Sequence, residues 1–135
     1  MDFDKTIQIS ASGLRAQGVR MRIIAENIAN ASTKPLAPDM DPYRRKLVSF
    51  KNVLDREIGV NTVKVGDITK DTAEFTKKFE PGHPGADDQG YVKIPNVNAM
   101  IEMMDMREAQ RSYRANIKVI EAAKRMMMRT IDMLK

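Results

Sequence analysis

The sequence predicts a mainly α protein. Long N- and C-terminal helices form a coiled-coil-like α domain, with a small β-containing segment between them. Three observations predict this. The last third of the chain repeats an apolar residue every seven positions: Ala99, Met106, Tyr113, Ile120, Met127 and Leu134. Residues 4–30 repeat the same step at Ile7, Leu14, Met21 and Ile28. Between them, Pro, Gly and short β-prone runs replace the helical period. A step of seven sustained over several intervals marks a helix whose narrow stripe seeks a partner helix.

The C-terminal helix is assigned to 96–135. Positions four beyond the main stripe read Met103, Gln110, Ile117, Lys124 and Ile131, so Ile117 and Ile131 widen the apolar seam. From Asn98 to Lys135 no Pro or Gly interrupts. Such a helix is roughly 55 Å long at about 1.5 Å per residue. The radius of gyration of a compact chain this size is only about 14 Å, so the helix is expected to project and to pack against others. Pro95 and then Asn96 or Asn98 mark its start. Glu102, Asp105 and Glu108 come early, and Lys124, Arg125, Arg129 and Lys135 late, as the helix dipole favours.

The N-terminal helix belongs to 1–33. Ala11, Gly18 and Ala25 alternate with the large residues of its seam, and small side chains let a neighbouring backbone approach. Gly13 and Gly18 each cost about 1 kcal/mol of helix propensity relative to Ala, so packing is expected to stabilise the helix. Asn30 is expected as a left-handed cap, with Pro35 ending the segment. The plainer alternative is an amphipathic helix packed on its own domain.

The middle segment, 34–95, is read as Pro/Gly-rich loops and short strands. Pro35, Pro38 and Pro42 stiffen a loop. Tyr43 to Phe50 reads as a strand, and its Arg44-Arg45-Lys46 cluster fits a phosphate, an acidic partner or a solvated sheet edge. Val60–Val65 and Ile68–Phe79 are β-like, broken at Gly66 and Asp67. Residues 80–95 carry three Pro and three Gly and read as a turn-rich link.

Composition excludes several classes. There is no Cys, so neither disulfides nor thiolate chemistry is available. Trp is absent and aromatics are 5%, too little for a large compact core. Eight of the 11 Met lie after residue 99, which suits a helix meeting several unlike neighbours. The net charge is +5. Basic and acidic residues number four and three in 1–30, eleven and ten in 31–95, and eight and five in 96–135, which reads as no concentrated basic patch and no nucleic-acid partner. No run approaches the ~20 apolar residues of a membrane span. The acidic opening Met1-Asp2-Phe3-Asp4 is not a secretory signal; it favours the cytoplasm, or export by a route that reads no cleavable signal. His83 is a lone loop residue, Asp87-Asp88-Gln89-Gly90 lacks the ligand spacing of a calcium loop, and no phosphate-binding loop is present. Ser49, His83 and Asp87 make a triad only on paper. No catalytic residue, cofactor or metal is expected.

Two segments carry a family resemblance. Ala11-Ser12-Gly13-Leu14-Arg15-Ala16-Gln17, with Ile24-Ala25-Glu26-Asn27-Ile28-Ala29-Asn30-Ala31-Ser32-Thr33, resembles the N-terminal signature of bacterial flagellar axial proteins. Pro84 through Val97, with Glu102-Met103-Met104-Asp105-Met106 and Arg111-Ser112-Tyr113-Arg114-Ala115-Asn116, resembles the basal-body rod protein family, and within it the proximal rod. Asn98-Ala99 stands where that pattern has Asp-Pro. The resemblance implies a structural subunit that leaves through the flagellar type III export gate and polymerises helically in the periplasmic rod to transmit torque. Implied partners are other rod proteins, the rod-base connecting protein, the inner-membrane (MS) ring and further copies of the chain. The assembly interface is assigned to Ile7, Leu14, Met21, Ile28, Met106, Tyr113, Ile117, Ile120, Met127, Ile131 and Leu134. The rival reading is a soluble cytoplasmic coiled-coil adaptor or basic regulatory protein.

Overall fold

A computed structural model describes residues 2–134. Helix α1 spans Phe3–Asn30 and helix α2 spans Ala99–Asp132, 28 and 34 residues. Four strands lie between them: β1 (Lys46–Asp55), β2 (Val60–Lys70), β3 (Thr76–Phe79) and β4 (Tyr91–Ile94). β1 and β2 form one two-stranded antiparallel sheet, and β3 and β4 another. In the second, Thr76 faces Ile94 and Phe79 faces Tyr91. The mainly α expectation with two terminal helices stands.

Local chemistry explains the boundaries. Asp2 accepts from the Lys5 amide through Oδ1 (3.3 Å), capping α1. Asn98 Oδ1 accepts from the Met100 and Ile101 amides at 3.0 and 3.4 Å, so Asn98 caps α2. The Asn30 expectation fails, because no described non-Gly residue has positive φ. Instead the Asn30 side-chain Nδ2 donates back to the Glu26 carbonyl at 2.8 Å, and the end carbonyls of Ile28 and Asn30 accept from the Ala31 and Thr33 amides at 3.2 and 3.1 Å.

The strands correct the remaining boundaries. The expected strand at Tyr43–Phe50 begins at Lys46 and runs on to Asp55. β2 passes straight through Gly66 and Asp67. Gly66 is a close-approach site there, since a Cβ would come 2.6 Å from Ser49 Oγ. Ser49 Oγ accepts from the Asp67 amide (3.0 Å) and donates to its carbonyl (3.1 Å), fastening the hairpin. Residues 80–95 are more than a link, since they contain β4. Asp87 Oδ1 accepts from the Gln89 and Tyr91 amides, and Gly90 takes φ of 82° to return the chain into β4.

The chain forms two compact units. The first comprises Met1–Met21, Val48–Asp67 and Arg107–Lys135; the second Arg22–Leu47 and Ile68–Met106. The first unit buries Ala16, Ala109 and Ala123 beside Ser10, Ser12 and Thr62. In it, α1 meets α2 closely at Gly13, where a Cβ would come 2.9 Å from Asn116 Nδ2. Ser12 Oγ donates to the Ile9 carbonyl (2.6 Å) and accepts from the Val63 amide (3.2 Å), pinning β2 to α1. The second unit buries Ile23, Ile24 and Val92 with Asn27 and Glu102. Both cores are small.

Candidate assembly surfaces

The side chains buried within one chain are not the large apolar ones of the two stripes. On α2 the line Glu102, Ala109, Asn116, Ala123 keeps the step of seven, and all but Asn116 are fully buried. It lies three residues beyond the Met106, Tyr113, Ile120 line, a rotation of roughly 60° at about 100° per residue. Met106, Tyr113, Ile117, Ile120 and Met127 are half-buried on its flank, while Ile131 and Leu134 are exposed at 47% and 83%. On α1 the buried Ala16 and Ile23 lie two residues beyond Leu14 and Met21, about 200° around the helix. Ile7, Leu14, Met21 and Ile28 are all half-buried. Gly18 has nothing within 4 Å of where a Cβ would stand.

More apolar surface is uncovered nearby. Met100, Met103, Met104, Met126, Met128 and Met133 are exposed, six of the eight Met in this region. In the first unit, Ala11, Ala16 and Val19 of α1 face Ile58, Val63 and Val65 of the hairpin across an open groove of about 400 Å³. Single exposed apolar residues are ordinary, but runs of them mark interaction surfaces.

The second unit holds a polar network at its centre. The Asn27 amide nitrogen donates to the Lys46 carbonyl (2.9 Å) and Glu102 Oε2 (3.0 Å). Its oxygen accepts from the Tyr43 hydroxyl (2.8 Å) and the Lys46 amide (3.0 Å). Burial pushes the Tyr43 phenol pKa up, so it remains a donor. Arg45 Nε donates to Glu102 Oε1 at 2.6 Å, with Asp105 and Asp71 at 3.6 and 3.7 Å. Burial works to lower the Arg45 pKa, but the hydrogen bond and charge of Glu102 outweigh it and raise it.

The basic cluster is therefore consumed inside the chain. Lys46 Nζ pairs with Glu26 at 2.8 Å and holds that carboxyl below its ordinary pKa. The Arg44 guanidinium lies 4.2 Å from the Phe75 ring centroid and donates to the Asp71 and Ala73 carbonyls. The acidic partner foreseen for this cluster is the protein's own, and a solvated edge is not what forms.

The expectation that positive charge is unconcentrated also needs correction. Arg107, Arg111, Arg114 and Lys118 line one exposed face of α2 around an open groove of about 410 Å³. Counting charges by segment concealed it; their steps of four, three and four were the available signal.

The remaining polar candidates serve local structure. His83 Nδ1 accepts from the Gly85 amide at 3.0 Å. Among the described residues no cluster of His, Asp and Glu is arranged to hold a metal ion. No described helix is long and apolar enough to cross a membrane.

Two long terminal helices, small cores and apolar helix flanks left uncovered are the features of a structural subunit rather than of a catalyst. The family model described as flagella basal body rod protein matches residues 7–34, and that of the flagellar basal body rod FlgEFG protein C-terminal matches 88–133. The flagellar basal-body rod protein FlgC of Agrobacterium fabrum is 50% identical over 95% of this chain and 92% of its own length. The FlgC protein of Bacillus subtilis is 37% identical over 96% of this chain and 97% of its own. That of Salmonella typhimurium is 42% identical over 93% and 92%. The chain belongs to the FlgC family of flagellar basal-body rod proteins. It is a structural rod subunit of the basal body, in a family that is not enzymatic. The cytoplasmic adaptor reading finds no support in these relatives.

Proposed function

We propose that the two terminal helices build this subunit into the proximal rod by coiled-coil-like packing against neighbouring subunits. The stripe Ile7, Leu14, Met21, Ile28 on α1 and the stripe Met106, Tyr113, Ile117, Ile120, Met127, Ile131, Leu134 on α2 are the contacts. In this reading 1–33 and 96–135 supply the rod α domain and 34–95 a β-containing insert. One observation carries it: the line that α2 buries within a single chain is small or polar, and on both helices the seven-spaced large residues stay half-uncovered or exposed. A helix–helix contact that does not close on itself generates a filament. Torque then passes through packed helices.

The neighbours follow from that position: other rod proteins, further copies, the rod-base connecting protein and the MS ring. The subunit reaches the periplasm through the flagellar type III export gate, without a cleaved signal.

Single charges placed in the seams test this. Leu14→Asp and Ile117→Asp are each expected to abolish swimming while synthesis continues. Normal swimming by both variants sinks the proposal. Export is checked separately by fractionation: the chain is expected to vanish from the periplasm when the export gate is disabled.

A further inference from the structure

The cation line on α2 is used by nothing else in the chain. Arg107, Arg111, Arg114 and Lys118 are all exposed; beyond them the exposed acid Glu121 interrupts the line before Arg125 and Arg129 resume it. Among the described residues, none of the six takes part in an ion pair, whereas cations elsewhere do so repeatedly. Like charges four apart on a helix repel. The line lies opposite buried Ala109, so it faces away from the subunit's own core.

We propose that this face docks an acidic helix belonging to a different protein of the same assembly. The proposal rests on the rod reading for its setting. Arg107 to Lys118 spans roughly 16 Å at about 1.5 Å per residue, a straight ladder that carboxylates at the same steps on a partner helix can match. Arg supplies three of its four rungs, and its planar fork binds carboxylates two-pronged. Gln110 and Ala115 line the same groove and bring no charge that competes with the cations.

A second copy of this chain does not fit. The acids of α1 are Asp4 and Glu26, and Glu26 is held by Lys46. Those of α2 are Glu102, Asp105, Glu108, Glu121 and Asp132, of which the first two surround Arg45. Neither helix carries an acidic ladder, and two copies of this face would meet cation to cation. A membrane surface is the competing occupant, since exposed Met103 and Met104 lie one turn before Arg107; alongside the four cations, however, the groove holds only Gln110 and Ala115, where a helix lying on lipid sets large apolar residues.

The test uses the full chain in its own cells. Benzoylphenylalanine replaces Gln110, ultraviolet light is applied to intact flagellated cells, and the cross-linked peptides are sequenced from purified basal bodies. The expected product joins this chain to another protein at a helix with carboxylates three or four residues apart. A cross-link only to further copies of this chain, or none to any protein, overturns the proposal. In parallel, Arg111→Glu with Arg114→Glu is expected to lower incorporation into basal bodies about tenfold or more, since like charges meet across the contact. Arg111→Lys with Arg114→Lys is expected to retain most of it. Unchanged incorporation of the Glu pair, with the purified variant folded by circular dichroism, is overturning. So is sedimentation of the unsubstituted chain with phosphatidylglycerol vesicles that the Glu pair abolishes. Should the unsubstituted chain be missing from basal bodies, the rod reading itself fails, which separates the two failures.

Discussion

Asn27 and Glu102 are each 1% exposed, and with Val92 they are the largest fully buried side chains. Asn27 fills four hydrogen bonds, two of them to the Lys46 backbone. Asn27→Ala strands the Lys46 amide, the Tyr43 hydroxyl and one oxygen of a buried carboxylate. The expected loss is roughly 2–4 kcal/mol in urea unfolding, because an unpaired buried polar group bears its full desolvation cost. Asn27→Asp sets a second carboxylate 3.0 Å from Glu102, and is expected to be at least as destabilising at neutral pH. At Glu80, hydrogen bonds from Lys34 (2.5 Å) and Lys78 (2.9 Å) lower the pKa from 4.5 to about 2. The folded pKa is the lower one, so this stabilisation is complete above pH 4.5 and disappears as pH falls towards 2. Thermal melts across that window should drop less steeply for Glu80→Gln than for the unsubstituted chain.

At the scale of elements, α1 offers the cleanest separation of folding from assembly. Gly18 is helical with open space where a Cβ would stand, so its propensity cost has no compensation within the chain. Gly18→Ala is expected to stabilise the isolated subunit by about 1 kcal/mol. If a neighbour's backbone approaches there, the same change lowers incorporation into rods. Stability rising with incorporation unchanged places no neighbour against that spot. The helices themselves were legible, because a period of seven survives in sequence whatever covers it. Their inner faces were not. Periodicity selected the seven-spaced large residues, whereas the chain closes on Ala16, Ala109 and Ala123, on Ile23, Ile24 and Val92, and on hydrogen-bonded Asn27 and Glu102. Partners separated by 19 and 75 residues, Lys46 and Glu102 for Asn27, leave no local trace. β4 was hidden for the converse reason: Tyr91-Val92-Lys93-Ile94 is short and flanked by Gly90 and Pro95, so turn signals dominated.

For the whole molecule, the small cores set the expectation. Single domains have only about 5–15 kcal/mol of stability, and two cores of three buried apolar residues each, alanines alone in the first, place this subunit at the low end. Segments that complete their burial on association order at that moment. The dilute subunit is expected to show less helical circular dichroism than an equal mass of assembled rods, and equal signals would count against assembly-coupled ordering. The exposed thioethers along α2 give the molecule a second property. Peroxide converts accessible methionine to the sulfoxide, turning a supple apolar chain polar. Met100, Met104 and Met133, at 68%, 68% and 78% exposure, should oxidise readily in free subunits and slowly wherever rods shelter them. Peptide mass spectrometry of the two forms would record which stretches assembly shields. A subunit oxidised before joining would carry new polar groups beside the seams that have to mate, so oxidative stress should act on rod construction more than on rods already built.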